Sequence, residues 1–200
     1  MSRIHPDGRR RCAWVPLNDE LYLNYHDREW GRPVKADRTL FEFFILESAQ
    51  AGLSWRTILG KREGYRLAFA NFDPQQVALY TEADLESLSQ NPAIIRHRPK
   101  LAAAVNNARV FLAIAAKHGS FHNYLWSWVN NTPVVNQLTP GSNMPSVTPL
   151  AVAIANDLKA NGVKFFGPTI TYSYLQAVGV VNDHETDCWS YKSLLKPLAE

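Results

Sequence analysis

Start and stop signals for helices recur along this chain, and they constrain its fold more than any other feature of the sequence. Thr39 followed by Glu42 forms a capping box, and Gly52 ends the apolar run behind it. The other signals are Asp73-Pro74, Thr81 with Asp84, Gly119 after the alanine-rich segment 99–117, Ser120, Thr148-Pro149, Gly162 and Gly167-Pro168. Short β-branched runs such as VVNQL are too isolated to build a sheet. We therefore predict an all-α fold with about eight helices, three of them between residues 39 and 90.

The length and composition are those of one globular domain. The 200 residues contain no internal repeat or long linker, so we expect a single domain over 1–200 with flexible tails at 1–10 and 192–200. Hydrophobic residues make up 46% of the chain, yet no apolar run approaches the roughly 18 residues of a membrane helix. The N-terminal MSRIHPDGRRRC lacks the apolar segment of a signal peptide. We expect a cytoplasmic monomer without a membrane partner.

A surface suited to phosphates is indicated by a long stretch without acidic residues. No Asp or Glu occurs between Glu86 and Asp157, whereas basic residues are frequent there. A carboxylate would repel a nucleic-acid backbone, so this pattern favours DNA binding. The segment NPAIIRHRPK joins two predicted helices and indicates a helix–hairpin–helix, with a plain αα-corner as the alternative because the usual glycines are missing. The candidate DNA contacts are Arg96, His97, Arg98 and Lys100.

Two cysteines and two histidines at opposite ends of the chain form a candidate metal site. His184 and Cys188 are four residues apart, a spacing that lets both side chains meet on one helical face or across a tight turn. Cys12 and His26 lie near the other end of the chain. Two cysteines do not suggest a disulfide framework. The residues alone leave two possibilities open, a Cys2His2 metal site or buried free thiols with surface histidines.

Glu47 is the acidic residue with the most unusual position. It follows Phe44 by three residues and Phe43 by four, so helical geometry places its carboxylate on a strongly apolar face. A buried acid without a partner is energetically costly. We therefore expect Glu47 to serve a ligand or a hydrogen-bond network.

Several stretches, taken in order and spacing, resemble the bacterial 3-methyladenine DNA glycosylase I family. They are CAWV, YHDREWG, LFEFFILESAQAGLSW, IIRHR, KFFGPTITYSYLQAVGVVNDH and the final Cys188. The resemblance implies a DNA-repair enzyme of the helix–hairpin–helix glycosylase superfamily. Such an enzyme hydrolyses the N-glycosidic bond of 3-methyladenine in alkylated double-stranded DNA and leaves an abasic site. It also implies one structural zinc ion that joins the two terminal segments, with the ligands Cys12, His26, His184 and Cys188.

The resemblance also implies a pocket for a flipped base. The base-binding residues would be Tyr22, Tyr25, Trp55, Trp14 and Trp30. Tyr25 and Trp55 would sandwich the base, and Glu47 would act as the catalytic carboxylate at its polar edge. Aromatic rings and a carboxylate suit a cationic purine through stacking, cation–π attraction and a charge-assisted hydrogen bond. Trp14 and Trp30 have a second interpretation as core residues beside the zinc ion.

Two other functions are compatible with parts of this pattern. A DNA-binding damage sensor would keep the hairpin and the metal, but the presence of both Glu47 and Trp55 argues against it. A zinc hydrolase would need three protein ligands and an open fourth position, whereas this sequence offers four ligands. The acids that could orient the imidazoles are Asp27, Asp183 and Asp187, and the sequence does not choose among them.

Overall fold

The computed structural model of the protein describes residues 2–194 and contains ten α-helices in that range. The helices are α1 Glu20–Arg28, α2 Asp37–Gln50, α3 Trp55–Ala68, α4 Pro74–Val77, α5 Glu82–Gln90, α6 Arg98–His118, α7 Phe121–Ser127, α8 Pro149–Ala160, α9 Pro168–Ala177 and α10 Trp189–Leu194. A short 3-10 helix, Ala70–Phe72, precedes α4. The all-α prediction is confirmed. None of the helices in residues 2–194 is long and apolar enough to cross a membrane.

Most of the predicted helix starts are confirmed by side-chain caps. Asp73, Ser120 and Thr148 each accept hydrogen bonds from backbone N–H groups of the following first turn. Thr81 and Asp84 form the complete reciprocal capping box. These caps satisfy N–H groups that have no partner inside their own helix, which fixes where each helix begins.

The predicted start of α2 at Thr39 is wrong. The helix begins two residues earlier, at Asp37, and its N-cap residue Ala36 makes no side-chain cap. The carboxylate of Asp37 instead accepts hydrogen bonds from the N–H groups of Phe121 at 2.9 Å and His122 at 2.8 Å. Asp37 therefore satisfies the first turn of α7, far away in the sequence, and ties α7 to α2.

The central helix of the fold is α2. Every residue from Leu40 to Ala49 is buried, and the helix contacts α3, α6, α7 and α9. On one side, the ring of Phe44 stacks on Phe166 with centroids 4.1 Å apart. Because helices surround it, α2 carries even its polar residues into the core, and Glu47 is one of them.

Four two-residue strands accompany the helices. β1, Arg3–Ile4, pairs antiparallel with β2, Arg10–Arg11, and β3, Val134–Val135, pairs in parallel with β4, Val181–Asn182. The N-terminal segment expected to be a flexible tail therefore forms a hairpin, and it buries Ser2 and His5. At the other end, α10 covers the first residues of the predicted C-terminal tail. Residues 195–200 of that tail lie outside the described residues.

The turn between α5 and α6 is packed against α3. The buried side chain of Ile94 anchors it, Tyr65 Oη accepts a hydrogen bond from Ile95 N at 3.2 Å, and Lys61 Nζ donates to Pro92 O at 2.7 Å. The carbonyl oxygen of Ala93 lies so close to α3 that a Cβ at Gly64 would be 2.3 Å from it. Gly64 therefore gives this hairpin the close backbone approach that its own sequence, without glycine, does not supply.

Candidate active site and metal centre

A cavity of about 350 Å³ lies between the two ends of the chain, and all six predicted pocket residues line it. They are Trp14, Tyr22, Tyr25, Trp30, Glu47 and Trp55. Helix α1 contributes the two tyrosines, α2 contributes Glu47, and Trp55 is the first residue of α3. The structure thus brings together side chains that are spread over more than forty residues of sequence.

Tyr25 and Trp55 form one wall of this cavity in direct contact with each other. Their ring centroids are 5.3 Å apart and the ring planes are tilted by 52°. In this arrangement the two rings offer an aromatic surface against which a base can pack. The sandwich of a base between them stays a prediction.

Trp14 and Trp30 connect the cavity to the predicted metal site. Their ring centroids are 4.9 Å apart, and Trp30 also lies 4.5 Å from the ring of His184. Both tryptophans line the cavity, and Trp30 is at the same time a core residue with 6% exposure. The buried indole N–H groups of Trp14 and Trp55 have no hydrogen-bond partner, which makes them free donors at the cavity wall.

Glu47 is a buried carboxyl group without a partner. Its exposure is 2%, and its Oε2 atom makes no hydrogen bond. Burial raises the pKa of Glu47 to about 8, because the ionised form loses its hydration and no nearby cation compensates. A positive ligand in the cavity would supply the missing counter-charge.

Several cavity residues were not found from the sequence. Gln50 lies one turn after Glu47 on α2. Ala13 directly precedes Trp14 near the N-terminal end of the chain. The others come from the C-terminal half of the chain and are Leu138, Ser142, Asn143, Met144, Ser173, Gln176 and Glu185. Residues 138–144 form a loop without any motif, and the sequence signals nothing about its position. Glu185 directly follows the predicted metal ligand His184 in the sequence. This adjacency is the one sequence signal from which its place in the cavity could have been predicted.

Three of the four predicted metal ligands form one buried cluster. The ligand atoms of Cys12, His26 and Cys188 all lie within 4.8 Å of one another, and Cys188 Sγ is 3.5 Å from His26 Nε2. The ring of His184 is 5.0 Å from that of His26, and its Nε2 atom is buried without a hydrogen-bond partner. The cluster can hold a metal ion, and an orphaned imidazole nitrogen beside it is what a fourth ligand would present.

The pKa shifts in this cluster differ between its members. Burial lowers the pKa of His184 well below its usual range, which keeps the imidazole neutral. The hydrogen bond from Cys12, together with the contact to His26, lowers the pKa of the Cys188 thiol. The same hydrogen bond, together with burial, raises the pKa of Cys12. At His26, the hydrogen bonds to Asp27 and Cys188 together outweigh burial and raise the pKa. Metal ligation requires neutral imidazole and thiolate, so the shifts at His184 and Cys188 favour it, whereas a metal must displace protons from Cys12 and His26.

The structure also selects the groups that orient the imidazoles. Nδ1 of His26 is 2.8 Å from Asp27 Oδ1, and Nδ1 of His184 is 2.9 Å from Asn182 Oδ1. Of the three candidate acids, Asp27 is therefore the one that orients the imidazole of His26. For His184, the side-chain amide of Asn182 makes the corresponding contact. Asp183 serves another role, because it accepts hydrogen bonds from Tyr172, Gln176 and Asn136. Each of these contacts fixes a ring or amide orientation at the centre of the fold.

The four candidate DNA contacts differ in their surroundings. Arg96 and His97 are exposed, and no hydrogen bond or ion pair occupies Arg96 within residues 2–194. The guanidinium of Arg98 pairs with Glu82 and Glu86. Lys100 Nζ donates to the carbonyl oxygens of Ala49 and Ala51, at the C-terminal end of α2. Arg96 is thus the most available cation of the set, and Lys100 joins the hairpin to the helix that carries Glu47.

Comparison with known proteins gives a consistent assignment. The family model described as methyladenine glycosylase matches residues 14–191. DNA-3-methyladenine glycosylase 1 of Escherichia coli is 48% identical over 181 residues, covering 90% of this chain and 96% of that protein. DNA-3-methyladenine glycosylase of Haemophilus influenzae is 43% identical and covers 89% of this chain and 96% of its own length.

Comparison with solved structures leads to the same family. A solved structure of 3-methyladenine DNA glycosylase I from Staphylococcus aureus, which concerns 3-methyladenine recognition, matches this chain with a TM-score of 0.87 at 42% identity. The match covers 95% of this chain and 98% of that one. This chain is therefore a member of the methyladenine glycosylase family.

Proposed function

We propose that this protein excises 3-methyladenine from alkylated double-stranded DNA by hydrolysing the N-glycosidic bond. The observation that carries the proposal is the aromatic cavity with Glu47 buried and unpartnered in its wall. A cavity of about 350 Å³ suits a single flipped purine. One chain supplies every residue of that cavity, so a monomer is sufficient for the activity.

The chemistry of the base matches this cavity. Methylation at N3 places a positive charge on adenine, and the bond between the sugar carbon and N9 breaks with its electron pair passing to the base. The leaving base becomes neutral, water adds to the sugar carbon and loses a proton, and an abasic site remains. Glu47 and the aromatic rings of Tyr25 and Trp55 bind the cationic base and hold it in place for this step.

The absence of acids from the turn and from helix α6 restricts the substrates. No Asp or Glu lies between Glu86 and Asp157, so neither the turn nor α6 supplies a carboxylate that could stabilise a developing positive sugar. The enzyme therefore depends on a leaving group that is already activated, and neutral bases are poor substrates. The same lack of a second catalytic group is consistent with a monofunctional enzyme that leaves the DNA strand intact.

We propose zinc as the metal and a structural role for it. Two thiols and two imidazoles are the donor set that zinc prefers, and the orphaned Nε2 of His184 fits the fourth position. Four protein ligands would leave no position for water. The metal then supplies a cross-link between the two terminal segments, and the catalytic groups remain those of the cavity.

The DNA surface is proposed around the hairpin between α5 and α6, in the manner of a helix–hairpin–helix. Arg96 is exposed and without a partner in the described part of the chain. His97 lies beside it. In the first turn of α6, Pro99 has no N–H and Lys100 N already donates to His97 O. A backbone contact to phosphate there would therefore come from Arg98 N. Arg98 and Lys100 support the hairpin through Glu82, Glu86 and the end of α2, in addition to any charge that they offer to DNA.

The direct test is incubation of the purified protein with methylated duplex DNA, followed by identification of the released bases. We expect free 3-methyladenine and alkali-sensitive abasic sites, with intact strands before alkali treatment. Glu47→Gln should release the base more slowly, whereas Glu63→Gln, which makes the same charge change at a largely exposed position of α3, should match the wild type. Release of no methylated base, or strand cleavage without alkali, would contradict the proposal.

A further inference from the structure

The cavity contains a second buried carboxyl group, that of Glu185. Glu185 follows His184 in the segment after β4, and 7% of its surface is exposed. It lines the same cavity as Glu47 and the aromatic rings. Glu47 comes from the central helix α2, whereas Glu185 comes from the C-terminal segment, so the two acids approach the cavity from different parts of the fold.

The backbone and one carboxylate oxygen of Glu185 are fixed by the surrounding structure. Its Oε1 atom accepts a hydrogen bond from Ala13 N at 3.1 Å. Its backbone forms a parallel bridge with Leu138, and its carbonyl oxygen accepts from Cys188 N at 2.8 Å. Because the backbone is fixed and one carboxylate oxygen is hydrogen-bonded, the side chain has less rotational freedom to lose when a ligand binds.

The second carboxylate oxygen has no such partner. Oε2 of Glu185 is buried and makes no hydrogen bond to any of the residues 2–194. The metal cluster does not use it, because the ligand atoms that lie together are those of Cys12, His26 and Cys188. A buried carboxylate oxygen without a donor costs free energy, and natural structures retain such groups where a ligand completes them.

We propose that Glu185 is a second anionic contact for the cationic purine, acting on a different part of the base from Glu47. This inference rests on the proposed function and adds a residue that determines how tightly the base is held. A purine cation whose charge is spread over two rings gains from a negative group at each of two edges.

Two substitutions at Glu185 separate this role from a structural one. Glu185→Gln keeps an oxygen that accepts from Ala13 N but removes the charge, whereas Glu185→Asp keeps the charge and shortens the side chain. A structural role predicts that the Gln variant behaves like the wild type. A counter-charge role predicts that the Gln variant loses more affinity for the base than the Asp variant does.

The assay measures binding of 3,9-dimethyladenine, a base that keeps the positive charge of the substrate, through the fluorescence of the cavity tryptophans, together with single-turnover excision from methylated duplex DNA. We expect Glu185→Gln to weaken base binding and slow excision by about tenfold, with the melting temperature and metal content of the wild type. Glu63→Gln is the matched control for charge and should bind and excise like the wild type. Wild-type binding and excision in Glu185→Gln would overturn the inference.

A second measurement covers the case in which the variant does not fold. Carbon-13 spectra of the wild-type protein with labelled glutamate carboxyl groups should show two buried signals, those of Glu47 and Glu185, that shift when 3-methyladenine is added. A shift of the Glu47 signal alone would reject the role of Glu185. If wild-type protein releases no 3-methyladenine from methylated DNA, the proposed function itself fails. This outcome differs from one in which the wild-type protein is active and the Glu185 signal does not respond to the base.

Discussion

Replacing Glu47 by Gln should make the free protein more stable while it impairs base binding, and the gain in stability should depend on pH. The pKa of Glu47 is raised by burial from 4.5 to about 8. When the pKa of a carboxyl group is raised in the folded state, the group's contribution to stability is fully present below the unfolded pKa and is lost as pH rises through the folded pKa. The wild-type protein therefore carries a penalty that grows between pH 4.5 and about 8.

The size of the effect follows from this pKa difference. Each pH unit in that window costs about 1.4 kcal/mol, so the penalty reaches about 3 kcal/mol at pH 7 and stays below about 1 kcal/mol at pH 5 for the shift to about 8. A glutamine has no charge to bury and lacks this dependence. The difference in melting temperature between variant and wild type should therefore be about 5–10 °C more favourable to the variant at pH 7 than at pH 5.

The assay is thermal melting of both proteins at the two pH values, with Glu63→Gln as the control for an exposed acid. On the same preparations, excision of 3-methyladenine should fall by roughly ten- to a hundredfold, because a hydrogen bond to a charged group contributes about 1.5–3 kcal/mol. An equal stability difference at pH 5 and pH 7 would refute the reasoning that Glu47 is an unpartnered carboxyl group. A lower stability together with wild-type excision would assign the residue to the core.

Three further predictions concern the metal, the DNA surface and a helix cap. Cys12→Ser and His184→Ala should each lower the metal content, measured by atomic absorption, and lower the melting temperature sharply; unchanged values in both would exclude a structural metal. Arg96→Ala should weaken DNA binding and reduce its dependence on salt by about one counterion, as measured by fluorescence anisotropy at several salt concentrations. Asp37→Ala should destabilise the fold by about 1–2 kcal/mol in urea unfolding, because it leaves the N–H groups of Phe121 and His122 without their acceptor while the Ser120 cap remains; no change would mean that water replaces the carboxylate.

The sequence predicts most helices here because their starts are encoded locally. A residue such as Thr81 or Ser120 caps the turn that follows it, so the signal and the structure lie within four residues of each other. Helices α1 and α3 were missed among the helices before residue 90. Two glycines interrupt the helical pattern of α3. One of them, Gly64, is required because the backbone of Ala93 packs against it, and only the structure shows this contact.

The candidate site is predictable where the residue type itself carries the chemistry. Cysteine and histidine suggest a metal, and Glu47 on an apolar face suggests a buried acid; the structure brings Cys12, His26 and Cys188 together and buries Glu47 in the cavity wall. The contacts of basic residues are less predictable, because Arg98 finds its acids on a neighbouring helix and Lys100 finds carbonyl oxygens on α2. Glu185 illustrates the same limit, since an acid in a turn has no periodic pattern that marks it as buried.

The cluster of Cys12, His26 and Cys188 can form only late in the synthesis of the chain, because its last member lies near the C-terminal end. Cys188 follows His26 by 162 residues, and a ribosome adds about 5–20 residues per second, so roughly 10–30 s separate the two ligands. Until Cys188 is added, the growing chain holds Cys12 and His26 without this partner, and the cavity wall is complete only once Glu185 has been added. Completion of the cavity wall and of the cluster is therefore among the last events of biosynthesis, and a chain that stops before Cys188 lacks one of the candidate metal ligands.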